Sequence, residues 1–254
     1  MGLKIVESKG ILTPLDTYYL WHGVKYVGKS SWFSMYPNTL YITTEEKRLN
    51  HIKGIKWIYV RNWRELLKVT EYLNSDRARS RFQFIVIDVV DMTFSFCEYY
   101  VCDENKWDSI ISPGWGKGER ALDAEYRKWY VNLLTLPYGF AFISHTKVLN
   151  VEKVVKEGGK LITVMKPKVQ SGLSDRAKAI ILPPIAITGH MKFEDIIQNN
   201  KYYKNVRVVS FEGSDLIEAG DGLGIMPKRI IVPNDVSKIY PMMEGYFSKG
   251  KEIV

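Results

Sequence analysis

The stretch Gly23-Val24-Lys25-Tyr26-Val27-Gly28-Lys29-Ser30 constrains the fold more than any other part of the chain. It satisfies GxxxxGK[ST] without deviation, and only about 0.01 such matches are expected by accident in a chain of this length. Glycines at both ends let the backbone curl until successive N–H groups point into one concavity. A helix that opens at Lys29 adds the partial positive charge of its first turn. The loop therefore needs a strand before it and a helix after it. The flanks supply both: residues 17–21 (TYYLW) read as a strand, and Lys29 to about Met35 as a short helix. The segment from Gly23 to Ser31 reads as a polyphosphate cradle, with Lys29 reaching the β and γ phosphates and Ser30 ligating Mg²⁺.

The rest of the chain repeats this alternation. Pro37-Asn38 breaks the chain before a strand at 39–44 (TLYITT). A strand at 57–60 leads into an amphipathic helix at 63–73, with Asn62 as its N-cap. Residues 84–90 (FIVIDVV) form a nearly continuous apolar run, the mark of a strand buried on both faces. After a long segment containing Pro113, Gly114, Gly116 and Gly118 come a helix at 120–136 and a strand at 140–144. Strands alternating with helices predict a mostly parallel sheet flanked by helices. Beyond about Lys160 the connections shorten, and strands at 161–165, 179–182, 185–188, 206–211 and 229–232 predict a hairpin-rich C-terminal extension. The expectation is one α/β domain over residues 1–254, with a core at about 15–160 and a β extension at about 161–254.

Strand ends supply the remaining candidates. Asp88 closes an apolar run, and a charge there is costly to bury unless it pairs or meets a metal, so Asp88 is the expected Mg²⁺ partner of Ser30. Asp91, three residues on, competes for that role. Glu45 follows the strand at 39–44 and is the candidate to polarise an attacking water, with Glu46 as the fallback. In a parallel sheet the C-terminal strand ends converge on the ligand crevice, which brings in His145 as a group sensing the γ-phosphate and Lys147 as a further positive charge.

Composition excludes several classes. The chain has 254 residues, 46% of them hydrophobic, enough for a core without disulfides or a structural metal. Two cysteines, Cys97 and Cys102, make neither a disulfide scaffold nor a four-cysteine zinc site. The opening MGLKIVESKG lacks the apolar core of a leader peptide, and Val6 stands where a myristoylation signal wants Ser or Thr. No apolar run reaches the roughly 18 residues of a membrane helix. A soluble, cytoplasmic protein without membrane contact is expected. The net charge of +8, spread along the chain, suits an anionic partner.

The order of these parts is specific: phosphate loop, YITTE, WIYVRNWRELLKV, FIVIDVVD, then a strand ending ISHTK. It resembles the RecA-like P-loop ATPase core over about residues 15–235. It is most similar to the phage-encoded nucleotide-binding family that includes the Sak-type single-strand annealing and recombination ATPases. The resemblance implies that Lys29 and Ser30 are the Walker A pair, Asp88 the Walker B aspartate, Glu45 the water-activating glutamate and His145 the polar residue before the second DNA loop. It also implies Mg²⁺-dependent ATP hydrolysis, binding of single-stranded DNA, assembly into rings or filaments, and a single-strand DNA-binding protein as a further partner. The chain departs from the family at Thr43 and Thr44, where an aspartate often stands, and at the bulky Tyr26 and Val27.

Two segments are candidate DNA contacts. Residues 103–119 carry Lys106, Trp107, Trp115 and Lys117, and residues 148–160 carry Lys153, Lys156 and Lys160 beside Gly158-Gly159. Aromatic rings stack on bases while basic groups track phosphates. Two other classes remain open: a P-loop nucleoside or nucleotide kinase, although the arginine cluster Arg77, Arg79 and Arg81 precedes the strand at 84–90 rather than standing at a lid position, and a non-hydrolysing protein that uses nucleotide for assembly.

Overall fold

The computed structural model describes residues 12–198 and 200–250, so the leader and lipidation expectations concern residues outside those described. One ten-stranded sheet runs through the structure. Its parallel centre is formed by β1 (Tyr18–Gly23), β2 (Thr39–Thr43), β3 (Lys56–Tyr59), β4 (Phe84–Asp88) and the first part of β5 (Gly139–Glu157). They lie in the order β1-β5-β4-β2-β3, with β7 (Ile187–Gln198) parallel to β1 on its other side. The α/β architecture expected from the sequence, a mostly parallel sheet flanked by helices with the phosphate loop at the end of β1, is present.

Side-chain alternation divides the core into two layers. From β1 and β4, Leu20, Ile85 and Ile87 enter one layer, beneath α2 (Trp63–Leu73), α4 (Asp91–Asn105), α5 (Lys117–Leu134) and α6 (Asp175–Ile181). Tyr19, Trp21, Phe84 and Val86 enter the other, beneath α1 (Lys29–Trp32) and α7 (Ile239–Gly250). A four-residue α3 (Asp76–Arg79) leads into β4. The predicted cap of α2 is present, since the Asn62 side chain accepts the Glu65 N–H at 2.9 Å.

Trp21 packs against Trp32 with ring centroids 5.4 Å apart, and its other side faces the Gly189 backbone. A Cβ at Gly189 would lie 2.8 Å from the enclosed Trp21 ring, which has nowhere to move. Gly189→Ala is therefore expected to cost about 1–3 kcal/mol. That lowers Tm by roughly 2–4 °C per kcal/mol. Gly220→Ala, with no atom within 4 Å of the new methyl, should be nearly neutral in the same thermal melts. Equal Tm for both variants would contradict this packing.

Two strands outrun the parallel sheet. β5 continues past His145 and pairs antiparallel with β6 (Lys160–Ser171) from Thr146↔Ser171 to Glu157↔Lys160. The ribbon turns at Gly158-Gly159, whose φ of 56° and 83° suit the left-handed two-residue turn of a hairpin. β7 likewise runs on into a ribbon with β8 (Lys201–Ser210), which β10 (Arg229–Ile231) flanks, while the two-residue β9 (Gly220–Asp221) pairs with the start of β7.

The hairpin-rich extension is thus present, with corrections. Residues 148–160, the second candidate DNA segment, are not a loop but strand and turn. Residues 179–182, expected to be a strand, belong to the end of α6, a helix nucleated by Ser174, whose side chain accepts the Ala177 N–H. The long segment before residue 120 contains all of α4. No helix among the described residues is long and apolar enough to cross a membrane.

Candidate active site

β1 delivers the phosphate loop. Gly23, its last residue, pairs with Met191 of β7 so closely that a Cβ would fall 2.2 Å from the Met191 carbonyl oxygen. Val27 is fully buried and pins the loop into the core beside Trp32 and Phe33. Tyr26 is 95% exposed with φ 65°, so the bulky residue points to solvent and leaves the concavity open. Gly28 reaches φ 100°, a conformation for which glycine is suited, and starts α1.

Lys29 is 3% exposed, and its ammonium spans the loop, donating to the carbonyl oxygens of Gly23 at 2.7 Å and Val24 at 3.0 Å. Burial, with the Arg48 guanidinium nearby, lowers it to about 8. The Ser30 hydroxyl donates to Asp88 Oδ2 at 2.6 Å, and the Tyr41 hydroxyl fixes the Ser30 carbonyl at 2.6 Å. Asp88 is fully buried at the end of β4, and its Oδ1 has no hydrogen-bond partner. Burial pushes its carboxyl up from the ordinary range.

Mg²⁺ takes one or two protein oxygens and completes its shell with water and substrate phosphates. A hydroxyl joined to a carboxylate with one unpartnered oxygen is a donor set of that kind, so Ser30 and Asp88 fit the ion. Asp91 does not share the position. It lies at the start of α4, where its carboxylate accepts the Ser144 hydroxyl, the His145 N–H at 2.8 Å and a contact from His145 Nδ1 at 3.0 Å.

That carboxylate fixes the His145 ring, whose Nε2 stands 4.0 Å from Glu45 Oε1. Glu45 is ion-paired with Arg48. The cavity beside the loop, about 700 Å³, is lined by Gly28, Lys29, Ser30, Ser31 and Glu45, and also by Lys25 and Tyr26. Glu46 is exposed and does not line it. Arg48, His51 and Arg207 complete the lining. The sequence does not point to them: Arg48 follows Glu45-Glu46-Lys47 in a run of charges, and Arg207 lies far along the chain with no motif around it. Lys147 donates to the Leu173 carbonyl at 3.2 Å, which turns it toward the start of α6.

The DNA candidates divide. Trp107 packs against the helical core layer, and the Lys117 ammonium sits 5.9 Å from its ring centroid. Lys106 ends α4 as an exposed left-handed residue, and Trp115 is 97% exposed. On the β5–β6 ribbon, the register puts Lys147, Lys153, Lys160, Lys166 and Lys168 on one face. Lys156 falls on the other, with Val148, Val154, Leu161 and Met165. Lys153 is ion-paired with Asp215 at 2.5 Å. Arg77, Arg79 and Arg81 lie at the start of β4, the strand end opposite Asp88, and do not line the phosphate cavity.

The SPbeta prophage-derived uncharacterized protein YorG of Bacillus subtilis is 26% identical over 160 residues. The aligned region is 62% of this chain but only 48% of that protein, so the match spans about half the relative's length. The flagellar accessory protein FlaH of Methanocaldococcus jannaschii superposes with a TM-score of 0.44 at 10% identity, covering 87% of this chain and 86% of that one. A family described as AAA domain matches residues 16–223, a span that contains the phosphate loop, Glu45, Asp88, Asp91 and His145. The chain belongs to this AAA domain family, AAA_24.

Proposed function

We propose that the chain binds ATP with Mg²⁺, hydrolyses it, and couples hydrolysis to single-stranded DNA in phage recombination or annealing, acting as a homo-oligomer in the host cytoplasm. One juxtaposition carries the reading. Lys29, Ser30 and Asp88 meet Glu45 and the Asp91-held His145 at one strand edge, and a lysine-faced ribbon grows directly from His145. The prophage origin of a relative supports the phage setting.

Phosphoryl transfer is catalysed chiefly by positioning and charge. The loop backbone and Lys29 take the phosphates, while Ser30 and Asp88 would hold Mg²⁺, which would supply Lewis-acid charge. Glu45, released from Arg48, orients the attacking water and accepts its proton. His145, its Nδ1 side held by Asp91, presents Nε2 toward the same space. DNA phosphates lie along the face bearing Lys160, Lys166 and Lys168, and bases stack on Trp115. The oligomer, and a single-strand DNA-binding protein as its partner, belong to this proposal.

The test is steady-state ATP hydrolysis with and without single-stranded DNA at two salt concentrations. Stimulation should fade as salt rises, since each phosphate contact releases counterions. Phosphate appearing on an added nucleoside, with no response to DNA, would establish a kinase instead; ATP binding with negligible turnover would establish an assembly protein. The position of Arg77, Arg79 and Arg81 away from the cavity disfavours the kinase.

A further inference from the structure

Arg207 has no role in the account above, yet it enters the phosphate cavity from an element outside the parallel core. On β8 it pairs with Phe193 of β7, two residues before the buried Val209, which pairs with Met191. Alternation puts residues two apart on the same face of a strand. Val209 faces the core layer that also holds Val27 and Trp32, so Arg207 shares the face that carries the phosphate loop.

The side chain closes on that loop. Its Nη1 lies 3.2 Å, and its Cδ 3.9 Å, from the position a Cβ of Gly28 would occupy. It lines the cavity together with Lys29, Ser30 and Ser31. Among the described residues Arg207 makes no ion pair, although Arg48, also in the cavity, is paired with Glu45. A guanidinium held against a phosphate loop without a carboxylate of its own is matched to a phosphate, which it can grip with two parallel N–H donors.

We propose that Arg207 binds the polyphosphate of the nucleotide held by the loop of its own chain, and so ties nucleotide occupancy to the β7–β8 ribbon. This rests on the nucleotide-binding reading and adds an in-cis ligand from the C-terminal extension. The grip adds a polar link between the loop that opens α1 and a ribbon that carries the exposed Ile197, Tyr202 and Tyr203. Nucleotide would hold the ribbon root against the loop; its release would free it.

The experiment measures Mg·ATP, Mg·ADP and AMP affinity by calorimetry for the full chain and for Arg207→Ala, Arg207→Lys and Lys29→Ala. Arg207→Ala should weaken ATP and ADP about tenfold or more, with a much smaller effect on AMP. Arg207→Lys, which keeps the charge but not the fork, should fall between. Amide exchange across 192–208 should slow on adding ATP to the full chain, and should not respond in Arg207→Ala.

Unchanged ATP affinity in Arg207→Ala, with binding lost in Lys29→Ala, would overturn the role of Arg207 and leave the nucleotide site standing. Absence of ATP binding by the unsubstituted chain would remove both. Mixing Arg207→Ala with Lys29→Ala distinguishes the chain of origin. Restored tight sites in the mixture would mean that a neighbouring subunit supplies the arginine, overturning the in-cis placement; no restoration supports it.

Discussion

Lys29→Ala is expected to lower ATP turnover by about a thousandfold, the scale seen when a preorganised charge at a reacting oxyanion is removed. The fold should survive, because the ammonium is enclosed at an energetic cost. Burial lowers it to about 8, so the folded protein holds that proton less tightly than the unfolded chain does. Between about pH 8 and the ordinary lysine value the unfolded state carries more protons, and the nucleotide-free protein becomes more stable as pH rises through that window. Alanine should abolish this slope without lowering Tm at pH 7.

The same group sets a pH dependence of binding. Below about pH 8 the loop offers phosphate an ammonium already in place; above it, binding must take up a proton, and ATP affinity should fall about tenfold per pH unit. Calorimetry from pH 6.5 to 9.5 would check this. A flat profile in the unsubstituted protein, or full turnover by Lys29→Ala, would place the phosphates elsewhere.

Why this site could be read from the sequence is itself physical. Gly23 to Ser30 is contiguous, and backbone N–H groups form the cradle, so spacing alone encodes it. Asp88 was legible as a charge closing an apolar run, and Glu45 and His145 as residues just past the predicted ends of strands that a parallel sheet must align at one edge. The Asp91 link was not legible. Three residues past the strand, Asp91 could as well have faced the metal, and only the start of α4 turns it to His145.

The misread elements share a cause. α4 buries Thr93, Phe94, Cys97 and Val101 but also carries Met92, Tyr99 and Tyr100, so apolar residues surround it and no helical period stands out. The β5–β6 ribbon is solvated on much of both faces, which removes the alternation that marks a half-buried strand. Arg207 meets Gly28 only through the pairing of β8 with β7 and of β7 with β1, a chain of long-range registers that no local pattern encodes.

Asp88→Asn should separate stability from turnover. The carboxylate is fully enclosed, with Oδ2 satisfied by Ser30 and Oδ1 by nothing. Burial raises its carboxyl above the unfolded value, so the folded state binds the proton more tightly. That contribution is present at acid pH and lost as pH rises through the folded value. Above that value the full cost of an enclosed charge remains.

Asparagine keeps the shape and an oxygen for the Ser30 hydroxyl. It leaves one N–H₂ poorly paired, a smaller cost than an unpaired carboxylate oxygen. The nucleotide-free variant should melt a few degrees higher at pH 7, at roughly 2–4 °C per kcal/mol for a chain of this size. The gain should shrink as pH falls toward the range where Asp88 protonates. Mg²⁺-dependent turnover should drop about a hundredfold, since a neutral amide neither attracts the cation nor offers it the free oxygen. A lower Tm at pH 7 would make the carboxylate a structural group, and unaltered turnover would take the metal away from it. A higher Tm with lost turnover would mark a position where the fold bears a cost that only the reaction explains.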